Sequence, residues 1–113
     1  MAPDQVSLAL AWDLPAFARR RLALLPTHHL QKCFDIDFAL NRLLGTRASV
    51  REWMWWPAPW LFHSRPVEVV LASQCGCERL RLRLLGELAE SGDDDGVLAA
   101  LASLSLADPS VNN

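Results

Sequence analysis

Hydrophobic positions along this chain recur mostly at helical spacing, and prolines, glycines and capping residues cut them into short segments. Residues 7–12 are apolar and predict a short helix after a loose start over residues 1–5. Asp13, Leu14 and Pro15 read as the opening of a second helix, Asp13 accepting from free backbone N–H groups and Pro15 tolerated in the first turn. Phe17, Leu22, Leu24 and Leu25 give that helix an apolar side, with Arg19, Arg20 and Arg21 wrapping round the other. Pro26 stops it, and Thr27 is placed to cap the next. From there Leu30, Cys33, Phe34, Phe38, Leu40, Leu43 and Leu44 recur mostly at helical spacing, with Asp37 as the break in the stripe. Gly45 follows, where a left-handed terminating residue belongs.

Ser49 and Glu52 match a capping box, which predicts a short helix over residues 50–56 that Pro57 ends. Pro66 fits the first turn of another helix through Val67, Val69, Val70 and Leu71, with Gly76 as its break. Residues 78–90 carry two patterns. Leu80, Leu82 and Leu84 alternate with Arg81 and Arg83 as in a strand, yet Cys77, Leu80, Leu84, Leu85 and Leu88 share one helical face. Leu, Arg and Glu favour helix and no second strand offers a partner, so helix is expected despite Gly86. An acidic turn over 91–96 precedes residues 97–106, which read as a small last helix or a disordered tail. The fold class is all-α: a small single domain of five to seven short helices. Its segments are N-terminal helices over 1–34, a central helical unit over 35–92 and an acidic tail over 93–113.

The stretch 53–70, WMWWPAPWLFHSRPVEVV, is the most unusual. It holds four of the five tryptophans and three of the seven prolines. Burying one tryptophan removes about 150–250 Å² from water, so one small domain can hardly bury all four. Trp53 is expected in the core, with Trp55, Trp56 and Trp60 left as interface candidates.

A length of 113 residues fits one domain, and 51% hydrophobic against 21% charged residues describes a folded chain. The net charge of −2 divides into about +2 over residues 1–92 and −4 beyond, too mild to call for nucleic acid. The start lacks a secretory pattern, no apolar run is long enough for a membrane span, and three cysteines suit a reducing cytoplasm. His28, His29, Cys75 and Cys77 do not show the paired spacing of zinc sites, so no metal site is expected. Asp93, Asp94 and Asp95 lack the calcium-loop pattern. No nucleophile has an evident base, and no catalytic residue is nominated.

Trp53 and Met54, then Pro57, Leu61, Pro66, Glu68, Val69 and Val70, stand at a spacing that resembles the toxin-binding domain of Xre/MbcA/ParS-type antitoxins. Pro59 also falls where many members carry a proline. The likeness extends back through Phe38, Leu44, Gly45, Arg51 and Glu52, and forward over residues 78–92, covering about residues 35–92. The chain departs from the pattern at Phe62 and His63, where the family often has small, glycine-rich residues. It departs again at Arg65, where a Ser or Thr cap is common. The resemblance implies a non-enzymatic, cofactor-free protein that binds and neutralises a toxin, typically a RES-fold protein that consumes NAD. In the family an N-terminal helix-turn-helix usually represses the operon; the segment 1–34 is read as a remnant of one, shorter than a full helix-turn-helix with its connecting helix.

On this reading Trp55, Trp56, Trp60, Phe62 and Arg65 carry partner contact, while Trp53, Pro57, Leu61, Pro66, Glu68 and Val69 hold the loop. Arg19, Arg20 and Arg21 are the residues a DNA contact would use, although a solvated helix face accounts for them more simply. Arg79, Arg81 and Arg83 read as ordinary solvated charges. Two other functions stay open: a DNA-binding transcriptional regulator, and an inhibitor of an unrelated host protein carried on a mobile element. Exposed tryptophans also allow a homodimer.

Overall fold

The computed structural model describes residues 2–92. They form α1 (Pro3–Ala11), α2 (Ala16–Leu24), α3 (Thr27–Leu44), α4 (Arg47–Trp55), a 3-10 turn (Pro59–Leu61), α5 (Pro66–Ala72) and α6 (Gln74–Glu90). The all-α class is what the chain adopts. The expected helix over 97–106 and the acidic tail lie outside the described residues. The boundary at 34/35 falls inside α3, and one core runs continuously across it.

The long helices α3 and α6 pack along each other and form the spine. From α3 the core takes Cys33, Ile36, Ala39 and Leu40; from α6 it takes Cys77, Leu80, Leu84, Leu85 and Leu88. These recur at three- and four-residue steps, so each set lies on one face, and each fully covered Leu or Ile contributes about 1.5–3 kcal/mol. The helical reading of residues 78–90 therefore holds, and Leu82, off that face, is exposed. Helix α5 packs on α6, α4 on α3 and α5, and α1 and α2 close the remaining side.

The core tryptophan is Trp12, outside the central cluster and 0% exposed. Its indole Nε1–H donates to Asp37 Oδ1 at 2.9 Å, and Asp37 pairs with Arg47 at 3.1 Å. Asp37, the break in the α3 stripe, thus anchors the polar edge of the largest buried side chain. The Trp55 indole donates to the Trp12 carbonyl at 2.6 Å, fastening α4 to the end of α1. Arg51 reaches the carbonyls of Leu10 and Ala11, supplying a cation to a helix end with no basic residue of its own.

Several local expectations are corrected. Asp13 does not cap α2; it lies at φ 53° and closes α1, its N–H donating to the Leu10 carbonyl while Leu14 N–H donates to that of Ala9. A short polar side chain tolerates the left-handed step of this Schellman turn. Pro15 and Pro26 occupy the caps before α2 and α3, and neither Asp13 nor Thr27 bonds there. Ser49 lies inside α4, whose cap is Thr46, accepting from Ser49 N–H at 3.1 Å. Gly76 does not break a helix: Ser73 ends α5 and caps α6, and Gly76 sits in the first turn of α6. A Cβ there would stand 2.8 Å from Val69 Cγ1, so glycine lets α5 and α6 approach. In α2 only Leu22 of the expected apolar side is buried, since Phe17 and Leu24 are 70% and 84% exposed. The α3 stripe omits Ile36, which is fully covered, and includes Phe38 and Leu44, which are exposed.

Candidate functional site

Two prolines, Pro57 and Pro66, bound the connection between α4 and α5. Neither can donate a backbone hydrogen bond, so α4 cannot continue and α5 starts at a preset φ. Between them the chain closes on itself. Ala58 N–H donates to the Ser64 carbonyl at 3.1 Å, and His63 N–H donates back to the Ala58 carbonyl at 2.9 Å. The 3-10 turn spans this closure, and Phe62 and His63 complete it at φ 55° and 64°. Two consecutive residues with a Cβ in left-handed backbone carry strain of about 1–2 kcal/mol each.

That strain positions an aromatic ring in solvent. Phe62 is 94% exposed and Trp56 65%. Trp60 is held rather than free: its ring lies 6.3 Å from that of Trp53, and the Arg83 guanidinium stacks 3.9 Å from its centroid. Arg83 also reaches Glu87 at 3.7 Å, which fixes the cation over the indole. Trp53 is half-buried against the core, as is Leu61. Trp53, Trp56 and Trp60, with Leu44, Pro59 and Pro66, wall a groove of about 310 Å³ whose polar groups come from Ser49 and Glu52.

Trp55 and Arg65 face elsewhere. They line a second groove of about 460 Å³, with Phe17 and Arg21 from α2 and Glu68, Val67 and Leu71 from α5. Arg65 Nε donates to the Trp55 carbonyl at 3.1 Å, and its Nη1 pairs with Glu68 at 3.0 Å. The arginine that stands where a Ser or Thr cap was expected thus ties the end of α4 to the start of α5. Glu68 works through the same pair. Pro66 is buried beneath the loop, and half-buried Val69 packs toward Gly76. The five partner-contact candidates therefore divide: Trp56 and Trp60 on the first groove, Phe62 beyond it, Trp55 and Arg65 on the second.

Arg19, Arg20 and Arg21 divide as well. Arg19 and Arg20 flank a recess with Ala16 and Ala23, whereas Arg21 turns to the second groove. Arg81 is not solvated: its side chain is 3% exposed and pairs with Glu78, which also holds Lys32 at 3.1 Å. Burial alone pushes the Glu78 carboxyl up, but hydrogen bonds and charge from Arg81 and Lys32 outweigh it and hold the group below the usual carboxylate range. Sequence reasoning missed Phe17 as a groove residue and Arg83 as the partner of Trp60. The spacing of Arg83 within α6 gave no sign of which side chain it would meet. No protein-family model, curated protein or solved structure matches this chain. No helix among the described residues is long and apolar enough to cross a membrane.

Proposed function

We propose that this chain is a non-enzymatic binding protein, similar to the Xre/MbcA/ParS-type antitoxins, that sequesters a protein toxin through the loop between α4 and α5. The observation that carries this reading is the strained, self-closed loop that holds Phe62 and Trp56 out in water beside the braced Trp60. Exposed aromatics on a loop already fixed by its own hydrogen bonds lose little entropy on binding, which is what interface anchors need. The groove beside them accepts an apolar side chain of the partner. Arg21 at the second groove suits a partner carboxylate. All three cysteines are unpaired, which fits a partner met in a reducing compartment such as the cytoplasm.

The test is capture of partners by the tagged chain from its source cells, followed by an NAD-depletion assay on what is recovered. A small NAD-consuming protein silenced by this chain, and released by Trp56→Ala, is the expected result. Recovery of operator DNA with steep salt dependence moves the function to a regulator. Recovery of an unrelated host protein moves it to an inhibitor of that protein.

A further inference from the structure

Three metal-capable side chains, none of them in the aromatic loop, come together where α3, α5 and α6 meet. His29 and Cys33 are four residues apart on α3, so they lie one turn apart on the same face. Cys77 faces them from α6. One ring nitrogen of His29 and the two sulfurs all lie within 4.8 Å of one another. Cys33 and Cys77 are 0% exposed and His29 is 5%. Around a tetrahedral zinc-sized ion, with metal–sulfur and metal–nitrogen bonds of about 2.3 and 2.0 Å, such donors sit about 3.5–3.8 Å apart. The three need to draw together by about 1.3 Å at most.

The histidine separates this cluster from three small residues filling a core. Its Nε2 lies 2.8 Å from the Val70 carbonyl oxygen. A carbonyl only accepts, so Nε2 carries the proton and the lone pair is on Nδ1. Metal-bound histidines are usually fixed in this way, the second ring nitrogen donating to a carbonyl or carboxylate. We infer that His29, Cys33 and Cys77 form a binding site for a divalent thiophilic cation of the zinc class.

Charge selects the cation. Two thiolates and a neutral imidazole balance a divalent ion, whereas a monovalent ion leaves a net charge in the core, which is costly. Sulfur and nitrogen donors exclude calcium and magnesium, which require oxygen. In the metal-free chain the neighbouring Cys77 thiol and burial push the Cys33 thiol up. Loading replaces two S–H bonds with two metal–sulfur bonds and releases two protons to solvent. The bound ion clamps α3 to α6, and through Val70 to α5.

The test uses the full reduced chain refolded with Zn(II) and dialysed against metal-free buffer. About one zinc per chain should be retained, with a higher Tm than the metal-free chain. Cys75→Ser, which changes the exposed cysteine, keeps the metal, whereas Cys33→Ala and Cys77→Ala lose it. Because core variants risk unfolding, Co(II) added to the unaltered chain supplies a second readout. Tetrahedral visible bands, with charge transfer from two thiolates, are expected. No retained zinc and no thiolate–cobalt bands, or zinc retention that needs Cys75 and not Cys33 and Cys77, overturns the assignment.

Discussion

Phe62 offers a perturbation in which folding and binding should move in opposite directions. Its ring is 94% exposed, so truncation forfeits almost none of the 1.5–3 kcal/mol (roughly) that a buried phenylalanine contributes. Its backbone, at φ 55°, carries a left-handed cost of about 1–2 kcal/mol that alanine keeps and glycine sheds. Glycine also loosens the unfolded chain, which takes back about 0.4–1 kcal/mol. Phe62→Ala should therefore leave stability within about 0.5 kcal/mol, and Phe62→Gly should exceed the alanine variant by about 1 kcal/mol, or about 4 °C in Tm. Urea titration of the three chains at equal slope measures this. Both variants should lose partner capture, because the anchor ring is gone from each. An alanine variant more stable than the glycine one would show that residue 62 is not left-handed in solution. A loss above about 1 kcal/mol in Phe62→Ala would place the ring in the core, and undiminished partner capture would remove it from the interface.

Trp56→Ala should weaken partner affinity by about 2 kcal/mol with Tm unchanged, whereas Trp60→Ala should lower both, because Trp53 and Arg83 pack on that ring; calorimetry with the captured partner and thermal melts separate the two. Gly86→Ala should raise stability by about 1 kcal/mol, since an added Cβ in the α6 interior meets nothing within 4 Å. Gly76→Ala should cost about 1–3 kcal/mol in the same urea assay through its 2.8 Å approach to Val69 Cγ1. Glu78→Gln should cost on the order of 2 kcal/mol at pH 7, because it strands the buried Arg81 charge. The Glu78 carboxyl is depressed in the folded state, so its contribution is present above the unfolded value of about 4.3 and is lost as pH falls through the folded one. The Tm gap between parent and variant should accordingly narrow as pH falls below about 4.3 and close once pH lies below the folded value; a gap that persists at the acid end would assign the effect to packing.

The helix count was legible because the stops are chemical: Pro26, Gly45, Pro57 and Pro66 each end or begin a segment where expected. What sits on which side of a stop was less legible. Ser49 with Glu52 fits a capping box, but Thr46 lies three residues earlier and accepts from the Ser49 N–H, so α4 starts sooner. Asp13 can open one helix or close another, and only the carbonyls of Ala9 and Leu10 decide it. The α2 stripe misled because this short helix buries a narrow line, leaving Phe17 to the groove beside Trp55. At the site, Phe62 and His63 both lie in the backbone region that glycine favours, which no local sequence signal on a Phe-His pair announces. The convergence of His29, Cys33 and Cys77 was not legible, because spacing rules for metal sites read one segment at a time. These donors meet only when α6 folds back on α3.

The two halves of the molecule divide rigidity and exposure between them. Trp12 satisfies the need for one large aromatic core residue, and its bonds to Asp37 and Trp55 pin the polar edge of α1 to α3 and α4. With that role taken by a tryptophan outside the cluster, the cluster itself need not fold inward. Trp53, Trp55 and Leu61 supply half-buried feet, Arg65 ties the ends of α4 and α5, and Arg83 from the spine holds Trp60 in place. The loop is therefore braced from three elements while Trp56 and Phe62 stay in water. Strain of about 1 kcal/mol or more at Phe62 and His63 persists only because those braces outweigh it. A chain selected for stability alone would place glycine there. Keeping an exposed phenylalanine at that cost is the observation that supports the proposed partner contact at this loop.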